Sequence, residues 1–208
     1  MNDRPTALAL HDFALSGHCH RVRLMLSLLG LPYEAIPVDL VAGEHRREPF
    51  LALNPLGQVP VLRDGEVVLA DSNAILVYLA SRHGGPSWLP QEAQRAAAVQ
   101  RWLSIAAGEI AYGPAAARAA TVLGMPCDDV SAAQARGRTV LRVMDDTLKD
   151  SAFLAGPDPT IADVACYAYV ARAPEGGIAL EPHPAVRAWL ARVEALPGFV
   201  AMPAATAT

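Results

Sequence analysis

VPVLRDGEVVLADSNAILVYLASR, residues 59 to 82, changes its hydrophobic period in the middle. Val59 to Ala70 reads as two apolar strands around Asp64-Gly65, and Asp-Gly between such runs is the strongest hairpin signal in the chain. Asp71-Ser72 then supplies a cap-type pair, and residues 71–82 run on as a helix. Further strand signals lie upstream.

Upstream, TALALHDFAL (6–15) begins as a short apolar strand that Ser16-Gly17 breaks. His18 to Gly30 reads as a helix, apolar on most faces through Val22, Leu24, Met25, Leu26, Leu28 and Leu29, with Gly30 at its end and Pro32 forbidding continuation. YEAIPVDL (33–40) is a strand whose Pro37 marks it as short or at an edge, and GEHRREPFLAL (43–53) a ragged polar helix. The order β-α-β-α-β-β-α implies a parallel crossover followed by an antiparallel hairpin.

Downstream, HGGPSWLP (83–90) reads as a linker. Everything after it looks helical. Val99, Trp102, Leu103, Ala106 and Ile110 form a stripe at helical spacing, which Gly113-Pro114 should bend or end. Further helices are expected over about 130–149, from Thr160, and over about 184–195, with AMPAATAT (201–208) fraying. The fold class is therefore α+β over residues 1–82 followed by an all-α domain over 91–208.

The chain has 208 residues, 52% hydrophobic and 18% charged, with a net charge of −4. That balance gives no electrostatic reason to expect nucleic acid or an anionic membrane as partner. No apolar run reaches the roughly 20 residues a bilayer needs. MNDRPTALALHD lacks a long apolar stretch and carries Asp3 and Asp12, which argues against a signal peptide. Cys19, Cys127 and Cys166 are odd in number and form no CxxC pair, as expected in a reducing cytoplasm.

The densest chemistry lies in SGHCHRVR (16–23). Ser16 reads either as the N-cap of the first helix or as a hydroxyl at a helix start able to face an anion. Cys19, one turn in, reads either as a thiol with lowered pKa near the positive helix end or as a small packing residue. His18, Cys19 and His20 alternate, so a helix scatters them around its axis and no metal site is expected. Arg21 and Arg23 are expected to snorkel or to pair with acids. Thr160-Ile-Ala-Asp163 has capping-box form and is given a structural role only.

Four stretches, SGHCHRVR (16–23), AGEHRREPFLALNPLGQVPVL (42–62), ADSNAIL (70–76) and PTIADVA (159–165), resemble the cytosolic glutathione transferases in order and spacing. The resemblance covers nearly the whole chain and is closest to serine-type enzymes, including bacterial ones. It implies a thioredoxin-like first domain that binds glutathione, a helical domain that helps hold a hydrophobic electrophile, a cytoplasmic homodimer, and detoxification chemistry with no metal. Ser16 matches the serine that donates to the glutathione sulfur, and Cys19 the position at which a bacterial class forms a mixed disulfide. His45 and Arg46 match a pair that meets the glycine carboxylate. Val59 would precede a cis-Pro60 and pair with the cysteinyl main chain, with Gln58 beside it. Ser72 would grip the γ-glutamyl carboxylate, and Asp71, where serine classes more often carry Glu, would face the amino group. Phe13, Leu15, His18 and Tyr112 are the expected electrophile walls. Ser16-Gly17-His18 stands where the maleylacetoacetate isomerase class has Ser-Ser-Cys, which argues against that activity. A thiol–disulfide oxidoreductase using Cys19 and a non-catalytic binding protein are the alternatives.

Overall fold

The computed structural model describes residues 8–205. The expectations for residues 1–7 and 206–208 lie outside them. Strand β1 (Leu8–Asp12) leads into helix α1 (Gly17–Leu28) and back to β2 (Tyr33–Pro37), which pairs with β1 in parallel. Strands β3 (Val61–Asp64) and β4 (Val67–Ala70) form the hairpin, and β3 returns antiparallel to β1. The sheet order is β2-β1-β3-β4, closed by helix α3 (Ser72–Leu79).

The register explains which face is buried. Leu10 lies opposite Leu62, and Leu62 opposite Leu69, so a row of leucines crosses three strands. Leu8, Leu10 and Leu62 pack with Val22, Leu24, Met25 and Leu26 of α1 and with Ile75, Leu76 and Leu79 of α3. The other face is thinner: Val38, Phe50 and Val61 form a separate small cluster beneath helix α2 (Phe50–Leu53).

Residues 43–53 fold differently from one ragged helix. A single 3₁₀ turn covers Glu44–Arg46, and α2 starts only after the cis Glu48–Pro49 peptide. Proline removes an N–H and restricts the residue before it, which divides the segment in two. The stretch read as a linker is also helical: a wide turn spans Ala80–Gly84 and helix α4 spans Gly85–Trp88.

Helices α5 (Ala93–Ile105), α6 (Ala116–Leu123), α7 (Val130–Lys149), α8 (Ile161–Ala171) and α9 (Pro184–Glu194) make up the second half. Gly113-Pro114 does not end the helix begun at α5. A π-helical stretch, Ala106–Ala115, carries the chain through the proline into α6. The i→i+5 pattern shifts the carbonyls that a proline ring would strike in an α-helix, and Gly113 lets the backbone come close to Gly137 of α7. Helix α8 is buried from Ile161 to Val170 and packs against α1, α3 and α5. A continuous hydrophobic cluster therefore joins the two halves, from Leu10 through Leu76 and Trp102 to Val164 and Trp189.

The chain is anchored as far as Met202, the second residue of the stretch expected to fray. Ser27 Oγ donates to Gly198 O at 2.6 Å, the His20 ring bonds Val200 O, and Arg172 bonds Met202 O. Met202 is itself buried.

Candidate functional site

The first turn of α1 faces a cleft of about 790 Å³ between the sheet domain and the helices. Ser16 caps α1: its Oγ accepts the Cys19 N–H at 3.2 Å. A hydroxyl has one proton to give and two lone pairs to receive with. Capping uses a lone pair and leaves the proton, so Ser16, half-buried and lining the cleft, can still donate to a ligand. Capping and ligand binding are compatible here. Gly17 follows because the Tyr169 ring occupies the space a Cβ would need, at 2.6 Å.

Cys19 takes the other side of the helix. It is fully buried, its Sγ accepts the Phe13 N–H at 3.4 Å, and it is not among the cleft-lining residues. Burial is the largest influence on its thiol and pushes it up to about 12. The expectation of a lowered pKa is thereby corrected: proximity to the helix start is outweighed by loss of water.

His18 lines the cleft and stands edge-on to Tyr169, ring centroids 5.0 Å apart. Burial, aided by the Arg21 charge, lowers its pKa to about 3. The ring is therefore neutral, and its Nδ1, 3.0 Å from Arg21 Nη1, must accept, leaving the proton on Nε2.

Arg21 does not snorkel, and it pairs with no acid among the described residues. It is 1% exposed, and Nη1 also donates to Ser72 Oγ at 3.1 Å while Nη2 reaches Ala106 O. Arg23 does meet the expectation, pairing with Asp12. The wholly buried Arg21 charge therefore lies directly behind the first residue of α3.

Asp71 caps α3, with Oδ1 accepting the Asn73 and Ala74 N–H groups at 2.9 Å each. Its φ of 72° makes it the non-glycine residue with positive φ among the described residues, a strained conformation of the kind that gathers at binding sites. The Val59–Pro60 peptide is cis, and Gln58, Val59, Pro60, Asp71 and Ser72 all line the cleft. Gly57 (φ 59°) sits against the His45 carbonyl, where a Cβ would lie 2.9 Å from the oxygen, so this loop passes close to the His45 turn. His45 Nε2 accepts from Arg46 Nε at 3.2 Å, while His45 Nδ1 is covered and unpartnered. Both residues line the cleft.

The opposite wall is mostly apolar: Phe13 and Leu15 before α1, then Ala111, Ala115, Ala116, Ala119, Leu123 and Met125. Tyr112 is not part of it. Its side chain is 68% exposed, because the π-helical turn presents Ala111 and Ala115 to the cleft instead. Tyr169 and Arg118 also line the cleft, and neither was singled out from the sequence. Tyr169 lies in an unbroken apolar helix; Arg118 is a lone cation in GPAAARAATVL, and that isolation was the available signal. No group of three or more His, Cys, Asp or Glu able to hold a metal occurs among the described residues.

Residues 10–87 match the glutathione S-transferase N-terminal domain, and residues 118–197 match the C-terminal domain. A glutathione S-transferase from Zea mays is 35% identical over 207 residues, covering 92% of this chain and 91% of its own. The chain belongs to the glutathione S-transferase family. A solved glutathione S-transferase from Pseudomonas fluorescens superposes with a TM-score of 0.89 at 36% identity, over 95% of this chain and 99% of the other. One from Xanthobacter autotrophicus gives 0.87 at 34% identity, over 95% and 97%. In glutathione transferase terms the four-stranded sheet is the thioredoxin-like domain and α5 to α9 the helical domain.

Proposed function

We propose that this glutathione transferase lays glutathione along the sheet-domain wall of the cleft and directs its sulfur at Ser16. The observation that carries the reading is the placement of Ser16: Oγ is held by the Cys19 amide at the start of α1, at the boundary between a polar and a mostly apolar wall. The γ-glutamyl carboxylate meets Ser72, with the buried Arg21 charge behind it and the start of α3 in front. The cysteinyl main chain pairs with Val59 before Pro60, as an added strand would, beside Gln58. The glycine carboxylate accepts from the orphan Nδ1–H of His45, with the Arg46 charge beside it. Asp71 spends Oδ1 on capping, leaving Oδ2 for the amino group.

The thiol proton leaves to water, the thiolate sulfur bonds the electrophilic carbon, and a leaving group such as halide departs with its electron pair. Lowering a thiol pKa from about 8.5 to about 6.5 raises the thiolate fraction at pH 7 roughly 25-fold. The lost basicity returns roughly 8-fold of that if an exponent of about 0.45 holds. The net gain is a few fold, so holding sulfur and electrophile together, with effective molarities up to about 10⁵ M or more, must supply most of the rate.

Exposed Val67 and Val68 on β4 and Val77 on α3 support a homodimer, since an edge strand with apolar side chains is normally covered. The reading places the enzyme in the cytoplasm, in keeping with three free cysteines. The test is Ser16→Ala, assayed with an activated aryl chloride. The expected result is a fall in kcat/KM of roughly 10- to 100-fold with glutathione affinity changed less than about threefold. Full retention of kcat/KM would remove Ser16 from this role.

A further inference from the structure

On the helical wall of the cleft, residues 111–125 and Tyr169, Arg118 is the charged side chain among the described lining residues. It is 2% exposed. Its Nε donates to Glu175 Oε2 at 2.7 Å and its Nη1 to Leu15 O at 2.9 Å, while Nη2 is covered and has no partner. Glu175 is shared, because Arg172 Nη1 lies 3.5 Å from its other oxygen. Two guanidinium groups on one carboxylate leave a single positive charge in excess beside the cleft. A buried donor without an acceptor is an unfavourable arrangement that a bound acceptor relieves.

We infer that Arg118 recognises the second substrate, and that this substrate is an apolar electrophile carrying one carboxylate. The carboxylate accepts from Nη2 and offsets the single excess charge; a dianion such as a phosphate monoester would overshoot it. The alanines at 111, 115, 116 and 119 leave room beside Arg118 for a ring or chain. The Nη1 bond to the Leu15 carbonyl fixes the guanidinium one residue from Ser16, so a carboxylate bound there holds the rest of the molecule near the sulfur position. The inference rests on the proposed function only for the identity of the nucleophile. Arg118 touches substrate in this scheme as a specificity determinant and makes no bond to the reacting atoms.

The test is calorimetric titration of the full chain with cinnamate and with methyl cinnamate, in the absence and presence of S-methylglutathione. Cinnamate should bind at least about tenfold tighter than its ester under both conditions. Arg118→Gln should bring the ratio close to one with little change in ester binding. Should that variant not fold, Glu175→Gln keeps the test open: with its counter-ion gone, Arg118 should raise the ratio about threefold or more. A ratio near one in the native protein, or one that neither variant moves, overturns the inference. So does a preference that vanishes once S-methylglutathione occupies the cleft, since the carboxylate would then have sat in the glutathione half. Failure of S-methylglutathione to bind, with the cinnamate preference intact, strikes the glutathione reading and leaves Arg118 standing.

Discussion

Ser16 and Cys19 share the first turn of α1 and have opposite fates, because one looks into the cleft and the other into the core. A thiol held up to about 12 is protonated throughout the physiological range. Cys19→Ala should therefore keep kcat/KM within about threefold while lowering stability by about 1 to 2 kcal/mol through lost packing. Chemical denaturation and steady-state assay check both halves, and mass spectrometry after oxidised glutathione should find no adduct at Cys19. The neighbouring histidines set an acid limit. His18 and His20 have pKa values lowered by burial to about 3 and about 4, from 6.5. Their unfolded forms bind protons first, so stability is full above pH 6.5 and is lost as pH falls toward 4, at up to about 1.4 kcal/mol per pH unit for each ring. Urea midpoints measured between pH 7 and 4.5 should drop steeply, and His20→Gln should flatten the slope. The cleft-lining residues legible in the sequence were those in local motifs, such as Ser16, Gln58 and Ser72. Arg21, Arg118 and Tyr169 were not, since their roles come from contacts between elements far apart in the chain.

At the scale of elements, α8 depends on Asp163. Its carboxylate accepts from Thr160 N and Leu154 N at 2.9 Å, from Trp189 Nε1 at 2.8 Å and from the Thr160 hydroxyl at 3.3 Å. The S/T-x-x-D pattern announced the box, but the bonds to Leu154 and to Trp189 of α9 could not be read from it. Asp163→Ala strands these donors in the core and should lower stability by about 3 to 5 kcal/mol. Calorimetric glutathione affinity of the folded fraction should stay nearly unchanged. The start of α9 shows the same limit of sequence reading: Asp145 of α7 accepts the Ala185 and Val186 N–H groups, a cap supplied from some forty residues upstream. Gly113 lets the π-helical stretch lie close against α7. A Cβ there would meet the Gly137 backbone at 3.0 Å, and backbone cannot step aside as a side chain can. Gly113→Ala should reduce stability by about 1 to 3 kcal/mol, seen as a lower urea midpoint at unchanged slope.

Across the whole molecule, hydrophobic period gave the order of strands and helices, and the Asp64-Gly65 hairpin fixed where the sheet ends. It gave no surface for the proposed homodimer. Exposed Val67, Val68 and Val77 mark the edge around β4 and α3. Light scattering of the native chain should report a dimer, and Val68→Lys should move the population toward monomer; a native monomer at micromolar concentration would contradict the proposed assembly. The cleft belongs to this scale too, since its polar wall comes from the first eighty residues and its apolar wall mainly from the helices after them. The measurement that bears most directly on the account is a crystal structure of the native protein with glutathione bound. The account predicts the glutathione sulfur within about 3.5 Å of Ser16 Oγ, with the Cys19 amide still capping the same oxygen. A sulfur turned away from Ser16, or seated against Cys19, would contradict it.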